Sequence, residues 1–149
     1  MAHERILIVE DEHITGMDIR QMVKELGYEP IGPIAYGKDA VASVLADCPD
    51  VVLMDILLKG AMNGIQAARD IRSTCRCPVI YVTAQSDRSI LDLAEVTEPS
   101  GWVLKPIDEQ ELHTAIERAL DRRRIGEQLR EPPPSVRPIP VRSRVAPSA

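Results

Sequence analysis

The chain has 149 residues, 44% of them apolar, with 18 basic and 23 acidic side chains and a formal net charge of −5, enough for about one domain with its own core. The charge is divided: from Arg122 onward seven arginines face two glutamates, a net of +5, which leaves −10 on the residues before, a balance that disfavours nucleic acid as the body's partner and leaves it open for the tail. No apolar run approaches the ~18 residues of a membrane span, no signal-type region opens the chain, and Cys48, Cys75 and Cys77 make neither a disulfide framework nor a zinc site, so a cytoplasmic, reducing setting is expected.

In chain order, Ile6-Leu7-Ile8-Val9 predicts a strand that stops at the acidic cluster Glu10-Asp11-Glu12, which by itself could be no more than a solvated turn. Ile14, Met17, Ile19, Met22, Val23 and Leu26 keep close to helical spacing, and Gly27 follows as a C′ residue. Between Tyr28 and Ala35, Pro30 and Pro33 cannot donate to a ladder, so any strand there is short and at an edge. Ala40, Val41, Val44 and Leu45 predict a second helix. Val51-Val52-Leu53-Met54 is too short for a helix and reads as a strand buried on both faces, as in a parallel sheet, ending at Asp55.

Asn63-Gly64 opens a third helix carrying Ile65, Ala68 and Ile71, and Pro78 to Val82 is another buried strand, ended by Thr83. From Ala84 to Ser100 the pattern is polar and weakly periodic, predicting a marginal, mobile helix with Ile90, Leu91, Leu93 and Ala94 on its apolar side. Trp102-Val103-Leu104 is the last strand, closed by Lys105-Pro106. Asp108 caps a final helix through Leu112, Ile116, Ala119 and Leu120, prolonged by Ile125 and Leu129. Six of the twelve prolines follow Glu131, so the end of the chain is expected to be extended and disordered.

Strand and helix alternate five times, which predicts a doubly wound α/β fold, a five-stranded parallel sheet with helices on both faces. Glu10, Asp11, Asp55, Thr83 and Lys105 then share the carboxyl edge of that sheet, where such folds place their ligand crevice. Asp55 alone could be a turn cap; the convergence of five groups points to a site. Three carboxylates in one place repel by about 4 kcal/mol per pair at an effective dielectric of 20 and call for a cation. Oxygen ligands without His or Cys favour Mg2+ completed by a phosphoryl group. Asp55 can serve as a carboxylate nucleophile toward phosphorus, with Thr83 and Lys105 taking the equatorial oxygens.

Glu10-Asp11-Glu12 behind Ile6 to Val9, Leu53-Met54-Asp55, Val82-Thr83-Ala84 and Leu104-Lys105-Pro106 resemble, in order and spacing, the four motif blocks of response regulator receiver domains of bacterial two-component signalling. The resemblance covers residues 4–122, leaving 123–149 as a helix extension and a basic Pro/Arg-rich tail. It implies a flavodoxin-like strand order 2-1-3-4-5 and a phosphoryl group accepted by Asp55 from a histidine kinase or histidine phosphotransfer protein. It also implies Mg2+ held by Glu10, Asp11, Asp55 and the Leu57 carbonyl, a cis Lys105–Pro106 bond, and a switch coupling Thr83 to Trp102, where the family more often has Tyr or Phe. Such a protein catalyses its own aspartyl phosphorylation and slow dephosphorylation and is not a metabolic enzyme.

A flavodoxin-type FMN carrier shares the fold, but the acidic loop would repel its phosphate. A dehalogenase-type phosphatase needs a second Asp where this chain has Leu57. A receiver-like module used only for binding is the remaining alternative. Output is expected through protein binding or phosphorelay by a stand-alone receiver without a DNA-binding domain. Homodimerisation is expected through the face of the fourth helix, last strand and last helix, with Ile90, Leu93, Ile116 and Ala119 contributing. Leu57 and Gln85 are expected to flank the approach of hydrolytic water.

Overall fold

The computed structural model describes residues 3–84 and 88–130, the last four by backbone alone. Ten elements alternate: β1 (Arg5–Val9), α1 (His13–Glu25), β2 (Glu29–Ile34), α2 (Gly37–Ala46), β3 (Val51–Asp55), α3 (Gly64–Thr74), β4 (Val79–Thr83), α4 (Arg88–Glu95), β5 (Gly101–Leu104) and α5 (Glu109–Arg130). The strands form one parallel sheet in the order β2-β1-β3-β4-β5. The doubly wound fold expected from the sequence is therefore present.

The period of two along each strand divides the core. Ile6, Ile8, Val51, Leu53, Ile80 and Val82 face Ile19 and Val23 of α1 and Leu112, Ile116 and Ala119 of α5. Leu7, Val9, Val52, Met54, Val79 and Tyr81 face Ala40 and Val44 of α2 and Ile65, Ala68 and Ile71 of α3. A one-residue slip in any central strand would exchange the two sets, and each fully buried aliphatic side chain contributes about 1.5–3 kcal/mol, so register is firmly fixed. Register in turn brings the strand ends level: Asp55 pairs with Val82, and Thr83 with Leu104.

Two helices, α3 and α5, start on side-chain caps. Asn63 and Gln66 form a reciprocal capping box at α3, and Asp108 accepts the Glu111 N–H at α5. α5 continues unbroken to Arg130, so residue 122 lies inside a helix. The predicted tail beyond it lies outside the described residues.

Four expectations are corrected. β2 is at the edge, but with six residues it is the longest strand rather than a short one; its ladder with β1 shifts register opposite Leu7 to Val9, where Gly32 at φ +95° and Pro33 break the regular repeat. In α1 the buried set is Gly16, Ile19 and Val23, while Ile14 and Met17 are exposed, because the helix lies close against β2 and gives its inner face to Gly16. Ile116 and Ala119 belong to the core and cannot contribute to a surface. Cys48 and Cys75, read as unpaired, are joined in a disulfide with Cα atoms 6.4 Å apart. Their 27-residue separation hides the fact that β3 and β4 are neighbours, so the loops entering them start side by side.

The start of α3 is pressed against the end of β3. Gly64 N–H donates to the Ile56 carbonyl at 2.9 Å, and a Cβ on Gly64 would overlap the Asp55 carbonyl oxygen and lie 2.8 Å from Ile56 Cα. Both obstacles are backbone and cannot step aside. Gly64→Ala is expected to destabilise the fold by about 2–3 kcal/mol, read as a lower urea midpoint with an unchanged slope; an unaltered midpoint would show that this contact is slack.

Candidate functional site

Each site residue sits where a strand runs out. β1 hands over to Glu10 and Asp11, β3 ends on Asp55, β4 on Thr83, and Lys105 follows β5 with its N–H on the Thr83 carbonyl at 2.9 Å. Parallel strands put these ends on one edge. Oxygens of Glu10, Asp11 and Asp55 all lie within 4.8 Å of one another. Glu10 and Asp55 are 2% and 6% exposed, Thr83 is buried, and Asp11 is half-buried.

Lys105 organises the carboxylates. Its Nζ is 2.8 Å from Glu10 Oε1 and 3.6 Å from Asp55 Oδ2. The Glu10 contact is an ion pair rather than a well-directed hydrogen bond, since Oε1 has no aligned donor. Burial pushes the Glu10 carboxyl above its usual range; the Lys105 ammonium opposes that push and the Asp55 charge adds to it. Burial by itself would lower Lys105, but the close contact with the Glu10 carboxylate and the charge of Asp55 outweigh it and hold the ammonium above its ordinary value.

Backbone donors hold three of the other four carboxylate oxygens. Leu57 N–H donates to Asp55 Oδ1 at 3.1 Å, Lys59 N–H to Asp11 Oδ2 at 2.9 Å, and Glu12 N–H to Glu10 Oε2 at 3.1 Å. The part played by the Lys59 backbone was not visible in the sequence, because nothing in a residue's type reveals where its N–H points. The Lys105–Pro106 bond is cis. Leu57, two residues after Asp55, is 54% exposed, and Gln85 lies outside the described residues.

Trp102 is farther out. Its ring packs on Tyr81, 5.2 Å between centroids, and its Nε1 donates to Glu95 Oε1 at 3.0 Å. It borders a pocket of about 870 Å3 between α4, β5 and α5, shared with Arg88, Leu91, Leu104 and Glu111. Tyr81 as the partner of Trp102 follows from the ladder, which sets the two side by side on adjacent strands.

Three carboxylates, a hydroxyl and an ammonium on the carboxyl edge of a 2-1-3-4-5 parallel sheet are the arrangement expected of a receiver, and residues 6–117 match the response regulator receiver domain family. The chain belongs to that family. It is 36% identical over 118 residues to PdtaR, a transcriptional regulatory protein of Mycobacterium tuberculosis, a match covering 79% of this chain and 57% of PdtaR. The chain thus spans a little over half the length of that relative. It is 33% identical to PilH of Pseudomonas aeruginosa over 78% of this chain and 97% of PilH.

Among solved structures, the receiver domain of a modulated diguanylate cyclase from Desulfovibrio desulfuricans superposes with a TM-score of 0.80 at 31% identity, covering 83% of this chain and 98% of that one. The receiver domain of the sensor histidine kinase PA1611 from Pseudomonas aeruginosa gives 0.74 at 29% identity over 80% and 99% of the two chains, and it holds a magnesium ion in its active-site cleft. Among the described residues of the present receiver, no helix is long and apolar enough to cross a membrane.

Removing the ammonium leaves Glu10 buried beside Asp55 with backbone N–H groups of Glu12 and Leu57 as donors and no cation between them. Lys105→Met is expected to cost about 2 kcal/mol of stability in metal-free buffer at neutral pH, measured by urea unfolding with EDTA present. Equal midpoints for the variant and the parent would mean that the two carboxylates are not held by this ion pair.

Proposed function

We propose that this receiver takes a phosphoryl group on Asp55 from the phosphohistidine of a histidine kinase or a histidine phosphotransfer protein, and signals through phosphorylation-dependent binding or onward transfer. The observation that carries the reading is the gathering of the Glu10, Asp11 and Asp55 oxygens within 4.8 Å under the Lys105 ammonium. Oxygen-only donors of high negative charge fit Mg2+, held by Glu10, Asp11, Asp55 and the Leu57 carbonyl. Bound there, Mg2+ would neutralise charge on the transferred group.

An Asp55 carboxylate oxygen forms the new bond to phosphorus while the P–N bond to the donor imidazole breaks, and the imidazole leaves neutral after taking up a proton. Lys105, already 3.6 Å from Asp55, moves to a phosphoryl oxygen, and Thr83 takes a second one. That same motion loosens its hold on Glu10. In this reading Trp102 and Thr83 form the switch, and the α4, β5 and α5 face is the output surface, with homodimerisation as one use of it. Leu91 of α4 and Leu104, the latter 60% exposed, are apolar residues that border the pocket there. A binding-only module would not need the buried carboxylate pair, which costs stability and is explained by chemistry.

Asp55→Asn is expected to abolish labelling by phosphohistidine and by acetyl phosphate, because an amide is not a nucleophile toward phosphorus; EDTA should do the same to the parent protein. Intact-mass spectra showing one phosphoryl gained by the variant at the parent's rate would sink the assignment.

The lifetime of the acyl phosphate follows from the exposed Leu57 beside Asp55. Leucine has no group to orient an attacking water and obstructs its path, so the water gains little from positioning. The phosphorylated form is expected to persist for minutes or longer, and Leu57→Asn to shorten it several-fold, measured as phosphate release after the donor is removed. Decay of the parent within seconds, or no acceleration in the variant, would refute the obstruction.

A further inference from the structure

At the amino edge of the sheet, opposite the carboxylates, three cysteines meet. Cys48 lies between α2 and β3, Cys75 caps the end of α3, and Cys77 leads into β4. Their sulfurs lie within 4.8 Å of one another. The Cα separation of 6.4 Å between Cys48 and Cys75 is within the range a disulfide spans without backbone movement. Exposure grades across the group: Cys48 is exposed, Cys75 half-buried, and Cys77 1% exposed. Burial also pushes the Cys77 thiol up to about 11, which keeps it protonated and a poor nucleophile.

The chain neighbours of Cys77, Arg76 and Pro78, line a pocket of about 330 Å3 together with Arg72, Arg122, Arg123 and Ser100, and the charges of Arg123 and Arg72 are felt at the Cys77 thiol. Arg76 stands between Cys75 and Cys77 in the chain, and Pro78 follows Cys77. Arg72 and Arg123 have carboxylates at hand, Glu98 at 3.5 Å and Asp50 at 3.0 Å. Arg122 donates to the Ser100 carbonyl at 3.1 Å. Among the described residues, neither Arg122 nor Arg76 has a carboxylate within ion-pair distance. Arg72 and Arg76 come from the part of the chain that carries −10 and Arg122 and Arg123 from the part that carries +5, so basic side chains from both gather at this one place.

We infer that Cys48 and Cys75 are a reversible redox pair that exchanges with a small disulfide bearing carboxylates, of the glutathione kind, which the four arginines draw to the exposed Cys48. The Cys48 thiolate attacks one sulfur of the small disulfide, forming a mixed disulfide and releasing one thiolate. The Cys75 thiolate then attacks the Cys48 sulfur, closing the protein disulfide and releasing the second thiolate. Both thiol protons end on the two small thiols, so the protein loses two electrons and the small disulfide gains them. Closure ties the end of α2 to the end of α3, and Cys77 stays a bystander. Excess small thiol reverses each step.

The test uses the full chain, reduced and then exposed to glutathione disulfide or to cystamine, its cationic counterpart, followed by alkylation in denaturant and intact mass. The expected product has lost two thiols, with Cys77 the one alkylated. Glutathione disulfide should act about tenfold faster than cystamine at low salt, with the preference shrinking as salt is raised. Cys48→Ser should block closure, while Arg76→Ala with Arg122→Ala should close the pair and lose the preference. Three thiols still free at equilibrium, a disulfide that includes Cys77, or cystamine reacting as fast as glutathione disulfide would each overturn the inference. So would an unchanged preference in the double arginine variant.

Discussion

Two nearly solvent-free carboxylates, Glu10 and Asp55, share one ammonium. This constraint organises the carboxyl edge of the sheet. A buried carboxylate without compensation costs several kcal/mol, and here two such groups and a third, half-buried one are matched by Lys105 and by backbone donors from Leu57, Lys59 and Glu12. The fold supplies the match by geometry. Lys105 reaches Glu10 because β5 places it one strand beyond Thr83, and β1, β3 and β4 end level with one another. In the proposed reading, the excess of acid over base is what the site retains for a cation and a phosphoryl group. Stability is given up at this edge, as the proposed chemistry there requires.

The rest of the sheet pays for this edge. β3 and β4 are buried along their whole lengths, and their two faces pack against α1 and α5 on one side and α2 and α3 on the other. Such strands have no polar side to give away position, yet their ends are sharply marked, because an ionisable or hydroxyl residue interrupts an unbroken apolar run. This is why the central elements and the cluster of Glu10, Asp55, Thr83 and Lys105 were legible before any coordinates. The same contrast was missing at β2, where Pro30 and Pro33 argued for a short strand and the shift of register at Gly32 allowed a long one.

What escaped the sequence has a common physical character. The Cys48–Cys75 link and the Lys59 N–H on Asp11 join residues 27 and 48 positions apart, and neither leaves a local pattern. Helical spacing likewise overstated the inner face of α1, since Met17 fits the period but Gly16 is the residue that meets Pro33. Periodicity tells which face of a helix is apolar. It does not tell which point of that face lies closest to its neighbour.

The two chemical ends of the molecule are joined by the same two strands. β3 begins after Cys48 and ends at Asp55, and β4 begins after Cys77 and ends at Thr83. Cys48 and Asp55 are seven positions apart along mostly extended chain, on the order of 20 Å, about twice the screening length of physiological salt. A charge change at the carboxylates is therefore barely felt at the cysteines through solvent. Coupling between the edges, where it exists, has to be mechanical, carried by strands that are buried on both faces and close-packed. A close-packed strand does not stretch. It transmits a shift of one end only by moving as a unit against α3, whose start is pressed against Asp55 through Gly64 and whose end carries Cys75. α3 thus runs alongside β3 and β4 between the same two edges, with one end against Asp55 and the other at Cys75.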